Sequence, residues 1–112
     1  MGKTVITFDT VRELALALPG VEDGTSYGTP ALKVKGKFMA RLREDGNVVF
    51  KVGFDNAEML METNPRTFYT TDHYRGYPAV LVRLTRVTRG QLADVVKMAW
   101  LQSAPKRLTR DL

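Results

Sequence analysis

The sequence predicts an α+β domain, an antiparallel β-sheet with helices packed on one face. Three observations predict it. Apolar residues recur at helical spacing near both ends of the chain. Between them the period changes to two over three successive segments. Those segments are separated by short turns, one holding an Asp-Gly pair typical of β-hairpins, so the sheet is a meander rather than a parallel one.

The first helix is expected over residues 8–18. Thr7 can cap it, and Val11, Leu14, Ala15 and Leu18 form one apolar stripe. Pro19-Gly20 ends it. Residues 21–30 read as a loop with a short strand near Tyr27. Strands are expected over 31–35, 38–43 and 48–52, with turns at Gly36 and at Glu44-Asp45-Gly46-Asn47. A short helix follows over 56–62, with Asp55 and Glu58 forming a capping box. Residues 64–78 are rich in aromatics and loop formers, and 79–85 alternate as a fourth long strand. Thr88 and Gln91 form a second capping box. It opens a helix carrying Leu92, Val95, Val96, Ala99 and Trp100 on one face. Pro105 ends that helix, and Lys106-Arg107 begin a basic tail.

The 112 residues suffice for one domain and contain no internal repeat or linker, so 1–112 reads as a single unit. The absence of cysteine excludes disulfides, thiolate metal sites and a thiol nucleophile, and suits a reducing compartment. The N-terminal stretch does not read as a secretory signal, and no apolar run could span a bilayer. Gly2-Lys3-Thr4 imitates the end of a phosphate-binding loop but lacks the upstream glycine and strand. A cytoplasmic protein without a membrane partner is expected, a monomer or weak homodimer.

Charge is the informative signal. The net charge is +5, which favours anionic partners. Alternation turns Leu32, Val34, Phe38, Ala40, Leu42, Val48, Phe50 and Val52 toward the helices. The opposite parity gathers Lys33, Lys35, Arg41, Arg43 and Lys51 on the outer face, with Arg83 from the last strand. Such a face can track phosphates or simply keep the sheet solvated and unaggregated. Met39, Val49 and Leu81 share its parity, so a protein interface is a third reading.

Enzymatic signals are weak. His73 is the only histidine, and neither Ser26 nor Ser103 sits in a nucleophile elbow. The acidic pairs Glu22-Asp23 and Glu44-Asp45 lie at turns, where carboxylates stay solvated. One histidine and scattered acids make no metal constellation. The sequence therefore assigns no catalytic residue, metal or cofactor. The segment from Asp72 to Pro78 sets His73, Tyr74, Arg75 and Tyr77 together. Its rings can stack on a ligand or pack against the end of the sheet. Residues 26–30 read as a small-ligand loop or a structural turn. Lys106, Arg107 and Arg110 either complement the last helix dipole or reach phosphate.

Four segments together resemble the MmcQ/YjbR family of small bacterial proteins: VRELALALPGV (11–21), GTSYGTPALKVKGKFMARL (24–42), TDHYRGYPAVLVRL (71–84) and AWLQSAPKRL (99–108). The resemblance implies a CyaY-like (frataxin-like) fold and a non-enzymatic, DNA-binding protein with a double-wing motif. Wings would map onto the hairpins around Gly36 and Asp45-Gly46, with Lys33, Lys35, Lys37, Arg41, Arg43, Lys51, Arg75 and Arg83 as phosphate contacts of little sequence specificity. The alternative is a protein-interaction or small-ligand module using the sheet face or the aromatic loop. Frataxins bind iron through an acidic first helix; here Asp9 and Glu13 are balanced by Arg12, which departs from that pattern.

Overall fold

A computed structural model of the chain describes residues 5–26 and 28–110. Gly2-Lys3-Thr4 and Tyr27 lie outside the described residues. The elements run α1 (Phe8–Leu16), β1 (Val21–Ser26), β2 (Thr29–Val34), β3 (Lys37–Leu42), β4 (Val48–Lys51), α2 (Phe54–Thr63), β5 (Phe68–Tyr69), β6 (Ala79–Val82), α3 (Arg89–Ser103) and α4 (Lys106–Thr109). The described strands form one antiparallel sheet in the order β1-β2-β3-β4-β6-β5. The expected α+β architecture is the observed one.

The main core lies between the helices and one sheet face. Val11 and Ala15 of α1 and Leu92, Val95, Val96, Ala99 and Trp100 of α3 meet Leu32, Val34, Ala40, Val48, Phe50 and Val52. Trp100 is fully buried and still satisfies its indole N–H, which donates to the Pro19 carbonyl at 2.8 Å. Ser103 donates to the Phe38 carbonyl at 3.1 Å, tying the end of α3 to the start of β3. Among the described residues, no helix is long and apolar enough to cross a membrane.

Caps decide the helix starts. Thr88 and Gln91 exchange side-chain and backbone hydrogen bonds at α3, as the sequence predicts. Thr7 makes the same exchange with Thr10 at α1. The box expected from Asp55 and Glu58 does not form. α2 starts earlier, with Gly53 as N-cap at φ 93° and ψ 156°, a region open essentially to glycine, and Asp55 falls in the first turn.

Three further expectations are corrected. Residues 21–26 form an edge strand paired with β2 along its whole length. It was hidden because its sequence, VEDGTS, is polar and mostly exposed. The aromatic segment yields β5, two residues pairing with β6. The basic tail is not free either. It turns into α4, whose Leu108 packs on the core and whose Leu108 Cδ1 would lie 2.8 Å from a Cβ placed on Gly20.

The most consequential correction concerns β3. Its register with β2 shifts: Leu32 pairs with Ala40, whereas Lys33 pairs with Phe38. Met39 is the extra residue of a β-bulge. It turns inward and is fully buried in the main core, while Phe38 turns outward. The uninterrupted period-two reading had these two residues reversed.

Candidate functional site

The bulge and the turn beside it set the geometry of the outer face. β2 and β3 are joined by Lys35 and Gly36, at φ 49° and 80°, the signs of a two-residue hairpin turn that follows the sheet twist. Lys35 therefore sits at the hairpin tip and not on the sheet face. Lys37, the first residue of β3, is exposed beside it. Lys33 stands one step back on the outer face, opposite Glu22 of β1. Lys51 ends β4, one residue beyond the Ala40–Phe50 pair and on the tip side of it.

The α4 segment arrives at this same end. Lys35 and Leu108 both lie against Gly20, and Ser103 is bonded to Phe38. The exposed Lys106, Arg107 and Arg110 thus join the end of the fold that holds Lys35 and Lys37. None of these five side chains forms an ion pair with another described residue.

The remaining arginines behave differently. Arg43 pairs with Asp45 at 3.0 Å, and Arg75 pairs with Asp72 at 3.1 Å. Arg83 donates to the Arg66 carbonyl and stacks 3.9 Å over the Tyr69 ring. Arg41 is the clearest departure from a solvated phosphate contact. Its side chain is only 10% exposed; it donates to Thr29 Oγ1 at 3.2 Å and to the Tyr74 hydroxyl at 3.0 Å. The Glu44 carboxylate lies 3.7 Å from it. The alternation groups Arg41, Arg43 and Arg83, which do lie beside the outer-face rings Tyr74 and Tyr69, but it carries no sign of the carboxylates and rings that cover them.

Those rings come from β5 and the loop after it. Tyr69 and Tyr74 pack over Val49, Ala79 and Leu81, making a second small core on the outer face. Val49 and Leu81 are fully buried there, and Met39 is buried on the other side. The apolar outer face expected from the alternation is therefore closed.

Beside this core lies a cleft of about 670 Å3, bordered by Phe38, Arg41, Glu44, His73, Tyr74 and Tyr77. The His73 and Tyr74 rings meet edge to face at 4.9 Å, and Tyr74 and Tyr77 lie 6.2 Å apart and tilted. Three residues of the candidate aromatic loop, His73, Tyr74 and Tyr77, thus come together with Arg41. Phe38 and Glu44 were missed as site residues, the first because the bulge is silent in the alternation. Ser26 borders the same cleft. Among the described residues no hydrogen bond joins it to His73.

On α1, Asp9 is engaged by Arg12 and Glu13 by Arg89. Hydrogen bonding to Asp23, reinforced by the charges of Asp23 and Asp9, holds the Arg12 guanidinium above its ordinary pKa. Among the described residues no three His, Cys, Asp or Glu side chains are grouped to hold a metal ion.

An antiparallel six-stranded sheet backed by helices, with one cationic end and an aromatic cleft, defines a small α+β scaffold. The chain belongs to the YjbR family, whose model matches residues 16–102. Its fold is shared with the crystal structure of Deinococcus radiodurans protein DR2400, of domain family DUF419. The TM-score is 0.73 and the identity 20%, over 91% of this chain and 81% of that one. Uncharacterized proteins of Mycobacterium tuberculosis and Mycobacterium bovis are 43% identical over 51 residues, 46% of this chain. The matched segment spans 40% of the length of those relatives.

Proposed function

We propose that this domain is a non-enzymatic nucleic-acid-binding protein that contacts duplex DNA through one end of the fold. The observation that carries this is the gathering of Lys35, Lys37, Lys106, Arg107 and Arg110, exposed and without carboxylate partners among the described residues. A hairpin tip presents its cations on a narrow projection. α4 sets three more beside it, and such a cluster suits the regular phosphates of a duplex. Lys33 and Lys51 extend the cluster onto the outer face.

The reading has one basic wing rather than two. The β3–β4 hairpin ends in Glu44 and Asp45, so its tip repels phosphate. Arg41, Arg43 and Arg75 are engaged by side chains of their own fold and contribute little to phosphate binding. Contacts of this kind give affinity without reading bases, so little sequence preference is expected. The rival reading, a partner docked on an apolar outer face, loses the residues that motivated it, since Met39, Val49 and Leu81 are all buried.

Fluorescence anisotropy with labelled duplex DNA across a salt series tests this reading. Five phosphate contacts give a slope of log K against log salt of about −4.5. The double variant Lys35→Gln/Lys37→Gln flattens it to about −2.7, whereas Arg43→Gln leaves it close to the original value. Absence of binding at low salt, or a slope indifferent to the double variant, overturns the proposal.

A further inference from the structure

We infer that the aromatic cleft on the outer sheet face takes an unpaired base of the bound DNA. The inference rests on the nucleic-acid reading and deepens it. The cationic end holds phosphates, and the cleft beside it selects strands with a base free to stack.

The position of Phe38 carries the argument. The β3 bulge turns it outward into the cleft, and Met39 fills its place in the core. There Phe38 stands among lysines. Lys37 precedes it in β3, and Lys33 of β2 is its cross-strand partner. Lys51 ends β4 on the same side of the Ala40–Phe50 pair. None of these three lysines forms an ion pair with another described residue. A phosphate chain held by them passes the mouth of the cleft, with its bases beside an aromatic face. Cations along the backbone and rings for the bases are the combination by which proteins hold unpaired strands.

The cleft itself suits a flat, neutral ring. Its volume of about 670 Å3 lies within the roughly 300–1,000 Å3 usual for ligand pockets. Phe38, Tyr74, Tyr77 and His73 border it, with His73 and Tyr77 exposed. Tyr74 is already held: its hydroxyl accepts from Arg41 at 3.0 Å, and its ring meets His73 edge to face at 4.9 Å. A ring fixed in advance stacks on a base at little further ordering cost. Arg41 enters only as this support. Its guanidinium is engaged by Glu44, Thr29 and the Leu42 carbonyl, so no ligand anion is assigned to it. The phosphates stay with the lysines outside, and the cleft receives the uncharged base. A base within a duplex has both faces stacked, and extracting it costs stacking and pairing energy. A blunt duplex therefore meets the lysines and leaves the rings unused.

Fluorescence anisotropy with three probes tests the inference: a blunt duplex, the same duplex with a single-stranded thymidine tail, and the same duplex with a tail of abasic units. The two tails carry equal phosphate charge and differ only in the bases. Each is placed at either strand end in turn. At one salt concentration the thymidine tail should bind about tenfold tighter than the abasic one, with the same salt slope. Tyr77→Ala and Phe38→Ala, with folding checked by circular dichroism, should each weaken the thymidine-tailed probe about fivefold and leave the blunt duplex unchanged. Tyr77→Phe, which keeps the ring, should retain the preference. Equal binding of the two tails at both placements, or a preference indifferent to both alanine variants, overturns the inference while leaving the duplex reading intact. Failure of every probe to bind at low salt removes the nucleic-acid reading and this inference with it.

Discussion

Substituting Met39 and Phe38 separately by alanine tests the bulge on which the outer face depends. Met39 is fully buried in the main core, and truncating such a side chain costs about 2–5 kcal/mol, part transfer and part cavity. Phe38 is only half-buried and faces the cleft, so its truncation leaves no enclosed void and costs about 1 kcal/mol. For 112 residues the unfolding entropy is roughly 0.24 kcal/mol per degree, so each kcal/mol lowers Tm by about 4 °C. Met39→Ala should therefore melt about 8–20 °C below the parent, and Phe38→Ala about 4 °C below it. Urea denaturation at constant m-value gives the same comparison at 25 °C. An unbulged strand reverses the order, with Phe38 in the core and Met39 outside. If Phe38→Ala is the more damaging variant, the register shift is wrong, and the cleft loses a wall with it.

Two other substitutions probe the elements around the site. Tyr74→Phe removes the hydroxyl that accepts from buried Arg41 at 3.0 Å and should cost about 1.5–3 kcal/mol in urea denaturation; a loss under 0.5 kcal/mol would mean that Arg41 is held by other means. Gly53→Ala should cost about 1–3 kcal/mol, chiefly from backbone strain at φ 93°, since the Gln102 amide that a Cβ would meet at 2.8 Å can swing aside; an unchanged Tm would count against the glycine cap.

Helices α1, α2 and α3, the β2–β3–β4 meander and the Thr88–Gln91 box were legible because each is written in contiguous residues. Other features depend on what arrives from far along the chain. Arg41 reads as a surface cation until Tyr74, 33 residues later, covers it. Lys106, Arg107 and Arg110 read as a tail until Leu108 docks against Gly20. β1 is invisible because an exposed edge strand needs no apolar alternation, and its polar sequence resembles a loop. The β3 bulge leaves no local mark, since Lys-Phe-Met-Ala-Arg-Leu satisfies either register by residue type. Asp55 failed as a cap for a local reason. Gly53, two residues earlier, opened the helix first.

The charge layout along β3 has an electrical consequence. Lysines cluster at the end where the strand begins, and Glu44 and Asp45 sit just past its other end, a separation of about 20 Å for six extended residues. A body charged in this way carries a permanent dipole on top of its net charge. In the field of a polyanion it experiences torque before contact, so it rotates cationic end first during the diffusional approach. Productive encounters then form a larger share of collisions than a net charge of +5 spread evenly would allow. The far tip, where Arg41 and Arg43 offset Glu44 and Asp45, carries no such excess of positive charge and trails as the rudder.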